Sequence, residues 1–150
     1  MVGSDEVQFD NSPGAVLEAD AMGWRRILLW AAAIFNFGAG LPLLLAPTLM
    51  LRALQVNVPD DLTFHRMCGL LIVCFGVIYA MIAEDLERYR PQVWVALTGK
   101  IGVFLIFALA LAQGLAPPRA VAIALGDLAF ALAFVVILLT PSRVGPASRP

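Results

Sequence analysis

Residues 117–141 read PPRAVAIALGDLAFALAFVVILLTP. A proline pair opens the stretch and a proline closes it, and between them the charges are Arg119 at the start and Asp127 inside. Proline is tolerated in the first turn of a helix and ends one when it follows. A membrane helix needs about 20 mainly apolar residues to cross roughly 30 Å of hydrocarbon. Residues 119–140 therefore read as a transmembrane span, and that reading sets the class of the whole chain.

Three further segments meet the same requirement. Residues 24–46 carry Arg25 and Arg26 at their start, and Trp24 and Trp30 suit a membrane interface. Residues 67–83 are at the lower length limit, and the run extends through Thr63 and Glu84, with Asp61 ahead as an N-cap. Residues 93–113 lie between Pro91, just before the helix, and Gly114, just after it. The expected fold is all-α, a four-transmembrane-helix antiparallel bundle. After Pro47, residues 48–54 are apolar with one charge and too short to span, which predicts a short interfacial helix between spans 1 and 2. A charged connection over 84–91 and a tight turn over 114–118 join the later spans. One membrane domain covers 24–140, with an acidic flexible tail over 1–23 and a second flexible tail over 141–150.

The composition agrees. Of 150 residues 61% are hydrophobic and 14% charged, with mean hydropathy +0.86, against roughly 45–50% and about 25% in soluble domains. This excludes a disordered chain and a secreted disulfide scaffold. Net charge is -1 and no basic stripe exists, so nucleic acid is not a partner. Residues 1–20 contain no Lys or Arg, hence no basic region of a cleavable signal. With four spans both termini share a side. Arg25, Arg26, Arg88, Arg90, Arg143 and Arg149 fall there, and Arg52, Arg66 and Arg119 on the other. The asymmetry predicts a multi-pass protein of a cell inner membrane with both termini cytoplasmic.

Cys68 and Cys74 are six apart, so on a helix they sit on different faces roughly 9 Å apart along the axis and cannot pair. The sequence has neither CxxC nor HExxH. No catalytic group, metal site or cofactor is called for.

Lipid does not drive helices together by burial, so small and polar residues mark the packed interior. In the second span Arg66, Gly69, Val73, Gly76, Ala80 and Ala83 share a stripe. In the fourth, Ala120, Ala124, Asp127 and Ala131 share a face, and in the first Ala32, Ala33, Asn36, Ala39 and Gly40 do so. Gly38, Gly40 and Pro42 predict a kink or local unwinding, and an unwound helix would present carbonyls to a cavity.

Charged groups inside a membrane cost roughly 2.5–3.5 kcal/mol on insertion scales and so mark functional candidates. The candidates are Asn36, Lys100 and Asp127. Lys100 and Asp127 each lie about seven residues into their spans from opposite sides, hence about 10 Å apart in depth. Two arrangements follow. Either the boundaries differ by a turn and Lys100 pairs with Asp127, or Asp127 meets Arg66 or His65 while Lys100 meets Tyr79, Asn36 or Glu84.

Gly99-Lys100-Ile101-Gly102-Val103 in one span and Gly126-Asp127-Leu128-Ala129-Phe130-Ala131 in the next resemble a pattern of small bacterial four-helix integral membrane proteins, loosely DoxX-like. The resemblance covers about a third of the chain. It implies the four-helix architecture and, through DoxX itself, a membrane subunit linked to thiol or thiosulfate oxidation and quinone.

Three functions follow from these residues. One is a small-molecule or proton-handling membrane protein with a polar interior. The second is an accessory or scaffold subunit whose Gly/Ala stripes bind partner helices. The third is a quinone-linked redox subunit. The partners to consider are the lipid bilayer, a second copy or another membrane protein, and a small apolar ligand.

Overall fold

The computed structural model describes residues 13–140, with side chains over 23–140. Residues 1–12 of the tail expected over 1–23, and the tail expected over 141–150, lie outside the described residues. The chain forms α1 (Pro13–Leu45), α2 (Pro47–Ala53), α3 (Thr63–Glu84), α4 (Leu86–Ala112) and α5 (Pro118–Leu139), and no strand among the described residues. The four long helices are apolar enough to cross a membrane over Gly23–Leu45, Thr63–Glu84, Leu86–Ala112 and Pro118–Leu139. The fold is an all-α four-helix bundle with one short helix, α2, between the first two long ones.

Three boundaries differ from the sequence reading. First, α1 begins at Pro13, so part of the segment read as a flexible tail is helix. Second, α4 begins at Leu86, and Pro91 lies inside it rather than ahead of it. Asp85 alone separates α3 from α4, where a longer charged loop was expected; its Oδ1 accepts the Arg88 N–H at 3.0 Å and starts α4 at once. Pro91 withholds one hydrogen bond from the carbonyl of Glu87, but that residue is exposed near the helix start, where water can replace the bond. Third, α1 is helical without a break through Gly38, Gly40 and Pro42. The expected unwinding does not occur, because Pro42 lies close to the helix end and its own carbonyl accepts Ala46 N–H at 2.8 Å.

The helices pair as α1 with α3 and α4 with α5, and α3 and α1 join the two pairs. The α1–α3 contact is backbone against backbone. A Cβ on Gly69 would lie 2.5 Å from Leu44 N and 2.9 Å from Gly40 O. Only glycine at both positions permits that approach. The bundle interior is unevenly filled. Leu29, Ile82, Val93, Phe134 and Ile137 are completely buried and form a solid core at the end away from α2. Large apolar side chains such as Ile34, Leu70, Ile106 and Leu132 face outward, as a lipid-facing surface requires and a soluble one rarely shows.

Arginines and capping turns close the helix ends. Arg66 donates to Leu44 O at 2.9 Å, and Arg90 to Leu138 O and Thr140 O at 3.0 and 2.8 Å. The last carbonyls of α1 and α5, which lack helical partners, are thereby met by cations from a neighbouring helix. Arg26 and Glu84 pair at 2.8 Å at the end opposite α2. Asp61 Oδ1 accepts Thr63 N–H at 2.8 Å, one place ahead of the N-cap Leu62. That bond, with the Thr63 hydroxyl, holds the exposed Asp61 carboxyl below its usual range.

α4 ends in a Schellman turn, with Gly114 at φ +70 and hydrogen bonds from Gly114 N to Leu111 O and Leu115 N to Ala110 O. α2 ends the same way, from Gln55 N to Arg52 O and Val56 N to Leu51 O, but here Gln55 holds φ 60. A side chain in that conformation costs roughly 1 kcal/mol. Gln55→Gly is therefore expected to raise stability by up to about 1 kcal/mol. A lower unfolding midpoint in detergent would show that the Gln55 side chain contributes something beyond the turn.

Candidate functional site

Lys100 is the only lysine in the chain. Its residue is 3% exposed, Asn36 5% and Asp127 8%. The Lys100 Nζ donates to Asp127 Oδ1 at 2.5 Å and to Asn36 Oδ1 at 2.6 Å. Asn36 in turn donates its Nδ2 to Ile72 O at 3.3 Å. The latter bond turns the amide so that its oxygen faces the ammonium. One polar network thus touches all four spans: α1 through Asn36, α3 through Ile72, α4 through Lys100 and α5 through Asp127.

Of the two arrangements weighed from the sequence, the direct pair is the one formed. α5 begins at Pro118, which puts Asp127 nine residues in, and Lys100 is twelve residues from the end of α4 at Ala112. At about 1.5 Å per residue these are roughly 14 and 18 Å from the same end of the bundle. Lysine's flexible four-carbon stem bridges the remainder.

Aromatic rings close over the ammonium. Its Nζ lies 4.9 Å from the Phe35 centroid, 5.4 Å from Tyr79 and 5.5 Å from Phe130. Each ring face offers a cation–π attraction that replaces part of the lost hydration. Gly126 makes room for this, since a Cβ there would sit 2.7 Å from the Phe35 ring. Tyr79 belongs to the site by its ring, which packs edge-on against Phe134 with centroids 5.6 Å apart.

Arg66 and His65 are not brought to Asp127. Arg66 caps α1, as described, and His65 sits beside Phe64 with its Nδ1 buried and unpartnered. Glu84 engages Arg26 rather than Lys100. The buried faces of α3 and α5 include Gly69, Gly76, Ala83, Ala120, Ala124 and Ala131, with Ala80 half-buried. Gly38 faces open space. Phe35, Phe130 and the Ile72 carbonyl were not anticipated. Phe130 is three residues after Asp127, hence on the same helix face, and that spacing was the available signal. The backbone carbonyl left none.

The polar network floors a cavity of about 180 Å³ between the long helices. Its walls are apolar, including Ala39, Leu43, Val103 and Ile123, and Met50 and Leu54 line it at the end nearest α2. The floor carries one ammonium, one carboxylate and one amide, so its net charge is zero. Among the described residues no group of three or more His, Cys, Asp or Glu is placed to hold a metal ion.

Comparison with protein-family models, curated proteins and solved structures finds no match. Fold and site together define the class, a multi-pass helical membrane protein with a charged pair buried at its centre.

Proposed function

We propose that this protein holds a small, largely apolar molecule within the membrane, in the cavity above Lys100, Asp127 and Asn36. The observation that carries the reading is the cavity itself, apolar on its walls and ending on a buried ion pair. Intramembrane charges are costly and usually mark ligand or ion pathways. An apolar pocket with a few convergent polar groups is the ordinary form of a small-molecule site.

The scaffold reading draws less support. The glycines that suggested a partner-binding stripe are occupied within the chain, Gly69 by α1 and Gly76 by the Phe37 ring. The quinone-linked reading rests on the DoxX-like resemblance, which we keep as a proposal of kinship and of a bacterial inner-membrane location. The arginine asymmetry supports cytoplasmic termini, with α2 on the opposite side.

The test uses toluene as probe, because a dry cavity of about 150 Å³ accepts a single benzene ring. Protein in lipid nanodiscs is expected to bind toluene saturably by ligand-observed NMR. Ile123→Trp, which fills the wall, is expected to leave only partition into lipid. Equal signals from both proteins would contradict the reading.

A further inference from the structure

Resting on that reading, we infer that the natural occupant is an uncharged single-ring phenol or alcohol of similar size, whose hydroxyl sits against the Lys100–Asp127 pair and touches both. Three features of the site lead there.

Charge comes first. Lys100 and Asp127 already neutralise each other. A ligand carboxylate or ammonium would therefore bring an uncompensated charge into an apolar, lipid-surrounded site, which is costly. The occupant is neutral.

Hydrogen-bonding capacity comes second. An ammonium has three hydrogens, and Asp127 and Asn36 take one each. Asn36 is engaged at both its oxygen and its nitrogen. A carboxylate has about four acceptor sites, and Asp127 accepts from Lys100 on one oxygen. The floor thus offers spare acceptors on Asp127, beside an ammonium whose third hydrogen meets only the faces of Phe35, Tyr79 and Phe130. The Asp127 side chain is also the more open of the two, 11% exposed against 4% for Lys100. A ketone, ester or ether serves only the donor. A hydroxyl accepts from Lys100 and donates to Asp127.

Size and wall chemistry come third. A volume of about 180 Å³ suits one ring with a short substituent. Phe35, Phe75, Tyr79 and Phe107 line it, and aromatic walls favour an aromatic guest through offset or edge-on packing. With the hydroxyl at the floor, the apolar end points toward Met50 of α2 and Leu54 just after it, where unbranched methionine adapts to differing shapes.

The experiment compares four probes of nearly one shape in nanodiscs. p-Cresol donates and accepts, 4-methylanisole only accepts, toluene does neither, and p-toluate is charged. Saturable binding is expected to be at least about tenfold tighter for p-cresol than for toluene or 4-methylanisole, with none for p-toluate. The double variant Lys100→Met/Asp127→Leu removes the floor's polarity without leaving a lone charge. It is expected to retain toluene and lose the preference for p-cresol. If toluene matches p-cresol in the native protein, or p-toluate binds best, the hydroxyl inference is overturned while the cavity reading stands. If neither p-cresol nor toluene binds saturably, both are overturned.

Discussion

Asp127→Asn is expected to destabilise the folded bundle by about 3–5 kcal/mol, the usual cost of leaving one partner of a buried ion pair uncompensated. The ammonium of Lys100 would keep its bond to Asn36 at 2.6 Å and its three ring faces, but no counter-charge would remain within the membrane interior. The neighbours cannot substitute. Glu84, the carboxylate at the far end of α3, pairs with Arg26 and does not contact Lys100. Combining Asp127→Asn with Lys100→Met removes the stranded cation. The double variant is then expected to recover most of the loss, so the two substitutions are strongly non-additive. Unfolding free energies of the wild type, both singles and the double, measured in the same detergent mixture, give the coupling directly. Additive costs would mean that the two side chains do not act as a pair.

Gly69→Ala carries the next largest expected effect, about 1–3 kcal/mol of destabilisation from overpacking, with the upper end favoured. The added carbon would run into α1 backbone, Leu44 N at 2.5 Å, Gly40 O at 2.9 Å and Leu43 C at 2.9 Å. Backbone atoms of two packed helices cannot step aside as a flexible side chain can, so α1 and α3 must separate. Separation would also pull Asn36 from Ile72, whose bond is already 3.3 Å. Gly38→Ala is the control on the same helix pair. Nothing lies within 4 Å of a Cβ there, and replacing glycine by alanine in a helix is worth up to about 1 kcal/mol in the opposite sense. Thermal midpoints moving in opposite directions are the expected result. Equal, small shifts would contradict the backbone-to-backbone contact.

The four spans and the short helix were legible because their signals are local. Prolines at 117, 118 and 141 punctuate α5, and Pro47 starts α2. The intramembrane polar residues were equally plain, since a lysine or aspartate inside an apolar run stands out by cost alone. Their partners were harder to read. Depth along a helix depends on where the helix starts, and α5 begins at Pro118, nine residues before Asp127 rather than about seven. Side-chain reach then decided the pairing, and a lysine reaches further than a count of Cα positions allows. Pro91 misled in the other direction. It looks like a start signal, yet Asp85 caps the helix six residues earlier and Pro91 is absorbed near an exposed end. The proline in α1 shows the same limit, because proximity to the helix end, not composition, kept the helix unbroken. The aromatic cover of Lys100 comes from α1, α3 and α5 together, a long-range arrangement that no spacing within one helix could specify.

The central claim is that Lys100 and Asp127 meet inside the bundle, and the sequence makes this directly measurable. Lys100 is the only lysine, so protein labelled with 15N at lysine Nζ reports on that group alone. With 13C at the aspartate side-chain carboxyl, a dipolar recoupling measurement in lipid bilayers reads the distance between the two nuclei. A 2.5 Å hydrogen bond from Nζ to Asp127 Oδ1 predicts strong dephasing, a nitrogen-to-carbon distance below about 4 Å, and its loss in Asp127→Asn. Absence of dephasing in the folded wild-type protein, or dephasing that survives in Asp127→Asn, would contradict the account.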